Sequence, residues 1–385
     1  MSVESLYEQV RAAVALEGDQ AVLRIVTVYQ PAGGPGSKVY PPTYPTSVGE
    51  SPYVLEKRRR DGKPHHVVIL DSTPSQANRA EEALLKAYRS GRVRIPLLQV
   101  EHHGDTNVVL TSLEFPHRYA DAYLRDSLLG GVAFDRTDLG KSLLAASLAD
   151  ASALYSHDPG TLVYGAWNSH RKGRQQKFPR VYSSEVVGWD PKVGERKAGR
   201  MDPFNLQGAQ KPVKGDDLWE YSKVATKTKG EKLSEIGHGN IAPQPAHGGV
   251  TISSAQRFVT LSLAGLDRIG FGDASHETAV AARAALAAYA LVADRLAFGG
   301  PSLWLRSGCE LVVESERVEW VNRGGRVETV DLSTSDALKL FEHARDAADN
   351  LGVAMDLEPV GLTPTKALAS AIDFSLTKAE AGDGD

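Results

Sequence analysis

The sequence is short of cysteine and of uninterrupted apolar runs, and each shortage excludes a class of protein. Cys309 is the single cysteine among 385 residues, so an internal disulfide and a multi-cysteine zinc site are both excluded. The longest apolar stretch, residues 278–298, is broken by three charged residues, and residues 1–20 lack the basic-then-apolar order of a signal peptide. We therefore expect a soluble, cytoplasmic protein with no membrane partner.

Positive charge is scarce over most of the chain and concentrated in one region. The sequence holds 44 Lys and Arg against 48 Asp and Glu, a net charge of −4. Residues 171–232 carry 15 Lys and Arg against 8 Asp and Glu, whereas the remainder carries 29 against 40. A local basic surplus in an acidic chain predicts a polyanion-binding surface. A solvated basic loop is the alternative.

The order of secondary structure predicts an α+β fold with helices on one face of a sheet. Hydrophobic periodicity and capping residues indicate a helix that begins at Thr73 and Pro74, with Thr73 and Gln76 as a capping box. The other predicted helices cover residues 139–155, 276–298 and 335–350. The predicted strands cover residues 21–29, 66–71, 107–113, 161–167, 251–263, 303–313, 317–321 and 326–330.

We predict one discontinuous core rather than two domains. It comprises residues of about 20–29, 67–167 and 251–350, because the strands before and after the long irregular region fit one sheet. Two basic insertions, residues 30–66 and 168–250, interrupt it, and residues 351–385 form a C-terminal tail.

Two cationic clusters are candidate phosphate-binding sites. Lys57, Arg58, Arg59 and Arg60 are consecutive and are followed by Lys63. Such density suits the neutralisation of phosphates without sequence readout, although a solvated charge run is the alternative. The second cluster contains no acidic residue and is interleaved with aromatic rings, a pattern that suits single-stranded nucleic acid. Its members are His170, Arg171, Lys172, Arg174, Lys177 and Arg180.

Two weaker signals complete the candidate RNA-binding set. Gln76, Asn78 and Arg79 lie where a strand leads into a helix N-terminus, a position that favours anions. Gln76 is equally explained as the capping-box residue. Gly248 and Gly249 would let a ligand approach the backbone closely, but two glycines are also typical of a turn.

Enzymatic alternatives find less support in the sequence. Glu101, His102, His103 and Asp105 offer ligand types for a metal-dependent ribonuclease, but adjacent side chains in an extended segment point to opposite faces. The run Gly140-Lys141-Ser142 lacks the glycine that a P-loop requires at position 135, and no G-x-S-x-G motif occurs. We expect no enzyme activity, no cofactor and no bound metal.

Six blocks of sequence, taken in order, carry a family resemblance from about residue 46 to residue 252. They are TSVGESPYVLEKRR, DSTPSQANRAEEALL, PHRYADAYLRDS, LVYGAWNSHR, YSSEVVGW and HGGVTI. Their joint order resembles the RNA-binding backbone subunit of type I-G (formerly I-U) CRISPR Cascade effectors.

That resemblance implies a hand-shaped protein with an RRM-like (ferredoxin-like) palm and long finger and thumb loops. It implies a subunit that polymerises with copies of itself along a CRISPR RNA and presents the guide for pairing with target DNA. The implied partners are other Cascade subunits and a helicase-nuclease. The aromatic RNP1 string of an ordinary RRM is missing, its nearest trace being RIGFG at residues 268–272, so we expect the backbone rather than the bases to be gripped. A DNA-binding structural protein is a further alternative.

Overall fold

The computed structural model describes residues 2–47, 50–104, 107–168, 176–206, 208–212, 219–223, 232–241 and 245–380. Its helices are α1 (Val3–Val14), α2 (Thr73–Arg89), α3 (Ala122–Arg125), α4 (Asp138–Ala145), α5 (Ser152–His157), α6 (Pro159–Tyr164), α7 (Leu263–Asp267), α8 (His276–Phe298), α9 (Thr334–Asn350) and α10 (Lys366–Glu380). Over these ranges, every helix is too short or too polar to cross a bilayer.

The strands form several sheets around this set of helices. They are β1 (Gln20–Pro31), β2 (Leu55–Arg60), β3 (Lys63–Asp71), β4 (Leu98–His103), β5 (Asn107–Thr111), β6 (Ser127–Leu129), β7 (Val132–Ala133), β8 (Ala166–Asn168), β9 (Gln176–Phe178), β10 (Tyr182–Trp189), β11 (Lys192–Val193), β12 (Ala209–Pro212), β13 (Trp219–Ser222), β14 (Val250–Thr251), β15 (Ser254–Ser262), β16 (Ser302–Arg306), β17 (Cys309–Asn322), β18 (Val327–Thr329) and β19 (Val360–Pro364). The predicted α+β class is confirmed.

The largest sheet is antiparallel and has the order β16-β17-β1-β15-β10-β3-β2, with β18 also paired to β17. Its four middle strands, β17-β1-β15-β10, alternate in the chain with α2 and α8. β10 falls inside the segment predicted as an insertion, residues 168–250, yet it lies within this sheet. Six of its eight residues are buried, as is typical of a strand inside a sheet.

One face of this sheet packs on a helical layer that contains the main core. Leu23, Ile25 and Val259 of the sheet share this core with Leu84 of α2 and Leu286 of α8. α8 is buried on nearly all sides because its many alanines let the neighbouring helices α1, α2 and α9 approach closely. Its predicted bounds are confirmed, and Ser275 caps it by accepting a hydrogen bond from the Thr278 amide.

The opposite face of the sheet carries a small separate cluster of apolar side chains. It consists of Val67, Ile69, Val187 and Trp189, with Phe258 packed against it. Trp189 is 4% exposed. Trp189 therefore offers no open stacking surface, and Phe258 is partly buried against it, in keeping with the absence of an RNP1 string.

A second sheet, β5-β4-β19-β6-β7, involves the C-terminal segment. β19 pairs in parallel with β4 and antiparallel with β6, and α10 follows it. Residues 351–380 of the predicted tail thus contribute a strand and a helix to the fold.

Several sequence predictions of secondary structure are wrong. The strand predicted for 303–313 is divided by a turn into the antiparallel pair β16 and β17. Residues 159–164 form α6 rather than a strand, because Pro159 begins the helix and the Asp158 carboxylate accepts a hydrogen bond from the Thr161 amide. The helix predicted for 139–155 is split into α4 and α5, because the backbone of Asp150 forms a bridge to Phe271. The loop predicted for 30–66 contains the hairpin β2–β3.

Candidate nucleic-acid interface

A cleft of about 690 Å³ lies between the start of α2, the β8–β9 hairpin and the start of β10. The polar side chains at its wall include those of Asn78, His117, Lys177 and Arg180. None of its described lining residues is Asp or Glu. Because lining carboxylates would repel a polyanion, their absence leaves the cleft with a positive character.

The β8–β9 hairpin supplies most of that character. Trp167 and Lys177 are directly opposite each other across the two strands, and both are exposed, Trp167 by 60%. On the other face, Phe178 is buried and stands edge-on to the Tyr119 ring, and the Gln176 amide donates to the Leu144 carbonyl. Because side chains alternate along a strand, one face of the hairpin packs on the protein while the other presents the Trp167 indole and the Lys177 ammonium to solvent.

The cations of the cleft are available to a ligand. Within the described part of the chain, neither Lys177 nor Arg180 pairs with a carboxylate. Arg180 is exposed where the chain passes from β9 to β10. An exposed indole with two unneutralised cations matches the composition of single-strand binding grooves.

The N-terminus of α2 forms another wall of the cleft. Thr73, Pro74 and Asn78 line it, and Asn78 is exposed. Ser72 occupies the N-cap position but makes no side-chain capping bond, and no acidic residue lies in the first turn. The predicted capping box is therefore absent. The N-terminus of α2 lies at the cleft, and the helix dipole favours an anion there.

An ion pair joins Arg118, which lines the cleft, to Glu81, which is buried behind it. Nε and Nη2 of Arg118 donate to the two carboxylate oxygens of Glu81 at 2.6 and 2.8 Å. Burial raises the pKa of Glu81 to about 7, although the positive charge of Arg118 acts to lower it. Burial likewise raises the pKa of the neighbouring Asp158 to about 6.

Two predicted site residues are used inside the fold instead. Gln76 is fully buried, donates to Asp71 at 2.5 Å, and accepts from the Ser184 hydroxyl and Arg257. Arg79 donates to the Asp71 carboxylate at 2.9 Å and to the Leu305 carbonyl at 2.7 Å. These bonds occupy the amide of Gln76 and the Nε and Nη2 groups of Arg79, so both residues have a structural role, and their contact with RNA stays a prediction.

Arg257 connects this network to the core. Its Nη2 donates to both carboxylate oxygens of Asp294 in α8, at 2.9 and 3.0 Å, and its guanidinium lies 3.8 Å from the Phe298 ring centroid. Both partners of this ion pair are fully buried. The network joins β15, α2 and α8, so it fixes the start of α2 against the sheet.

The run Lys57–Arg60 lies on the β2–β3 hairpin, where alternation divides it between two faces. Arg58 forms an ion pair with Glu185 of β10 and donates to Glu56 at 2.8 Å, and these partners raise its pKa. The guanidinium of Arg60 lies 5.1 Å from the Trp189 ring centroid, so it covers the apolar cluster on the open face. Lys57 and Arg59 are exposed on the other face.

The two cationic regions are therefore not one continuous set. Tyr182 lines the cleft, whereas Trp189, beneath Arg60, is at the other end of β10. Seven residue steps of strand correspond to about 23 Å. Of the predicted residues, the cleft brings together Asn78, Lys177 and Arg180.

Gly248 and Gly249 serve close packing within the chain. A Cβ on Gly248 would lie 2.1 Å from the carbonyl oxygen of Gly194, and Gly249 has a φ of +72°. The Gly249 amide donates to the Tyr53 hydroxyl at 2.8 Å. The turn interpretation explains both glycines, and their contact with RNA stays a prediction.

The histidines considered as metal ligands point apart, as strand alternation requires. His102 is buried and contacts the Asp373 carboxylate of α10 at 2.6 Å, whereas His103 is exposed. The described residues contain no group of three or more His, Cys, Asp or Glu side chains that could hold a metal ion. Asp105 lies outside the described residues.

Four predicted site residues, His170, Arg171, Lys172 and Arg174, also lie outside the described residues. In the chain they fall between β8 and β9, whose last pair is Asn168 with Gln176. Sequence reasoning missed Trp167, Arg118 and Glu81 as parts of this region. The signal for Trp167 was the glycine two positions before it, which ends α6 and starts a new strand.

One comparison with known proteins gives a match. Residues 23–193 match the family model described as CRISPR-associated protein GSU0053. No curated protein and no solved structure matches the chain. All described residues that line the cleft fall inside the matched range.

Proposed function

We propose that this chain, whose residues 23–193 match the model of a CRISPR-associated protein family, is the RNA-binding backbone subunit of a Cascade interference complex. The proposed ligand is the CRISPR RNA, which the cleft holds by its sugar-phosphate backbone. The single observation that carries this proposal is the cleft itself. It presents Trp167, Lys177 and Arg180 beside an open helix N-terminus, with no carboxylate among its described lining residues.

The chemistry of the cleft fits a guide of any sequence. Lysine and arginine bind phosphates without reading bases, and an exposed indole stacks on any base. A subunit that holds variable guides needs this tolerance, because pairing between the guide and the target DNA supplies the specificity. The arrangement therefore supports a binding role for which no catalytic group is required.

The topology supports an RRM-like palm. β1, α2, β10, β15, α8 and β17 follow one another in the chain, and their strands stand in the order β17-β1-β15-β10. This order supports the proposal of a ferredoxin-like palm, in which a β-α-β-β-α-β unit has both helices on one face. Trp189 on the other face is buried beneath Arg60 and Phe258 is partly buried against it, so we propose that RNA binds at the cleft rather than on the sheet.

Copurification tests the proposal directly. The protein is expressed with and without a CRISPR RNA and purified at low salt, and the bound nucleic acid is treated with ribonuclease or deoxyribonuclease. We expect ribonuclease-sensitive material that matches the guide. Protein free of nucleic acid in both preparations, or bound DNA instead of RNA, would contradict the proposal.

The backbone role requires several copies on one guide. Reconstitution with guides of increasing length, followed by particle mass measurement, should give masses that rise in steps of one 41.4 kDa chain. Incubation of the same particles with Mg²⁺, Mn²⁺ or Zn²⁺ should leave labelled RNA intact. Stepwise assembly with cleavage would identify a nuclease, and a single copy at every length would contradict the backbone role. Other Cascade subunits and a helicase-nuclease are the further proposed partners.

A further inference from the structure

We propose that Arg118, held by Glu81, is a positioning residue for the cleft. It fixes the β8–β9 hairpin so that Trp167, Lys177 and Arg180 stand where a polynucleotide can reach them together. This inference rests on the proposed function for the identity of the ligand, whereas the positioning itself can be measured without any ligand.

Arg118 divides its hydrogen-bond donors between Glu81 and Gly165. Two of its nitrogens bind Glu81, and the third, Nη1, donates to the Gly165 carbonyl at 2.9 Å. The guanidinium also lies 5.5 Å from the Tyr164 ring centroid. Since an arginine fork is planar and rigid, the orientation imposed by Glu81 determines where Gly165 is held.

The second step is the role of Gly165 as the junction of the hairpin. It ends α6, has a φ of +82°, and directly precedes β8. A Cβ at this position would lie 2.9 Å from the Arg180 amide nitrogen and 2.9 Å from the Phe178 carbonyl oxygen. The backbone here thus packs against β9, which carries Lys177, and against the segment that carries Arg180, and it leads directly into β8, which carries Trp167. A displacement of Gly165 would move both.

The third step is the backbone of Arg118 itself. Its φ is +51°, a left-handed conformation that is unfavourable for a residue with a Cβ. Arg118 is the first residue of a short 3₁₀ turn, Arg118–Ala120, which lies beside the cleft. Strained residues of this kind persist where surrounding contacts determine them, and such residues cluster at functional sites.

The fourth step is the charge around Glu81, which makes the pair sensitive to protons. The groups that face it are Arg118, Asp158 and the hydroxyl of Tyr289, with Tyr164 beside Arg118. Two carboxyl groups therefore share one cation in a buried site. Burial raises the pKa of Glu81 to about 7. As the pH falls through this value, Glu81 takes up a proton and its two-oxygen contact with Arg118 weakens.

The test follows Trp167 in the absence of RNA. Its emission is isolated by subtracting the spectrum of a matched protein that also carries Trp167→Phe. In Arg118→Lys, which keeps the charge but loses the fork, we expect a red shift and faster acrylamide quenching of Trp167. In the wild type the same signal should titrate near pH 7, and in Glu81→Gln that transition should be absent. An unchanged Trp167 signal in Arg118→Lys would overturn the proposal, as would an unaltered titration in Glu81→Gln.

RNA binding then separates positioning from direct contact. Arg118→Lys should weaken RNA binding about fivefold. Combined with Lys177→Ala and Arg180→Ala, it should weaken binding less than the product of the separate effects, because it acts through the same hairpin. Full multiplicativity would mean that Arg118 contacts RNA itself and would overturn the positioning role. If Trp167 responds while the wild type binds no RNA, the proposed function fails and the positioning role stands.

Discussion

The two hairpins of this protein use positive charge in different ways. On β2–β3 the cations are the denser in sequence, yet Arg58 is paired with Glu56 and Glu185, and Arg60 lies over Trp189. On β8–β9 and just beyond it, Lys177 and Arg180 find no carboxylate partner among the described residues. On the first hairpin Arg58 and Arg60 stabilise the fold while Lys57 and Arg59 stay exposed, whereas Lys177 and Arg180 are both available to a ligand. Charge density alone is therefore a poor guide to a phosphate site, because long-range partners decide which cations remain available.

The largest expected effect is on the cations of the cleft. The double variant Lys177→Ala/Arg180→Ala should weaken binding to RNAs of unrelated sequence by about 30-fold, because two charge-assisted contacts are lost. The slope of log affinity against log salt should fall by about 1.4, as expected for two phosphates of a single strand. Fluorescence anisotropy at several salt concentrations measures both quantities.

A matched control carries the same charge change on another surface. Arg92→Ala/Lys339→Ala removes two exposed cations that line one cavity, between the segment that follows α2 and the first half of α9. We expect its RNA affinity and salt slope to stay close to those of the wild type. Equal losses in the two double variants would mean that net charge, rather than the cleft, governs binding.

The second prediction concerns the indole of the cleft. Trp167→Ala should weaken RNA binding by about tenfold, because base–aromatic stacking contributes roughly 1–3 kcal/mol. Trp304→Ala is the control, since Trp304 on the edge strand β16 is 61% exposed, close to the 60% of Trp167. Equilibrium titration of one fluorescent RNA compares them. A similar loss in both variants would argue against a specific stacking site.

The third prediction reverses the comparison on the β2–β3 hairpin. Arg58→Ala should lower the free energy of unfolding by about 1 kcal/mol, because it leaves the partly buried Glu185 without its partner. RNA affinity should change less than twofold. Urea denaturation and anisotropy measure the two effects, with the exposed neighbour Lys57→Ala as control. A large loss of RNA affinity with unchanged stability would assign Arg58 to the ligand instead.

The fourth and smallest effect concerns pH. Because burial raises the pKa of Glu81 to about 7, the folded protein retains a proton that the unfolded chain releases above its ordinary pKa. Glu81 therefore contributes stability that is present at low pH and is lost as the pH rises towards 7. Between pH 6 and pH 7, the free energy of unfolding of the wild type should fall by about 1 kcal/mol more than that of Glu81→Gln. Identical pH dependence in the two proteins would contradict a raised pKa.

Much of the fold could be predicted from local sequence signals. The bounds of α8 follow from the capping Ser275 and an alanine-rich apolar run, and β1 follows from a β-branched run that ends at Pro31. These elements depend on neighbouring residues. α6 was misread because Thr161–Tyr164 is β-like in composition, whereas Pro159 and the Asp158 cap favour a helix.

The candidate site could be predicted only in part, because distant partners decide which polar groups remain available. Charge and the adjacent aromatic rings mark Lys177 and Arg180 in the sequence. The structural role of Arg58 is not visible there, because its partner Glu185 lies 127 residues away in the chain. The role of Gln76 is hidden for the same reason, because Arg257 lies 181 residues away. Such pairings arise from the topology of the sheet, and no local pattern encodes them.

The most direct test of the central claim is a map of RNA–protein crosslinks. The purified protein, bound to a guide that carries photoreactive bases, is irradiated, digested and analysed by mass spectrometry. Our account predicts crosslinks to the β8–β9 hairpin and the start of α2, at Trp167, Lys177 and the peptide containing Asn78, and few to the β2–β3 hairpin. Crosslinks concentrated on residues 57–63, with the cleft unmodified, would contradict it.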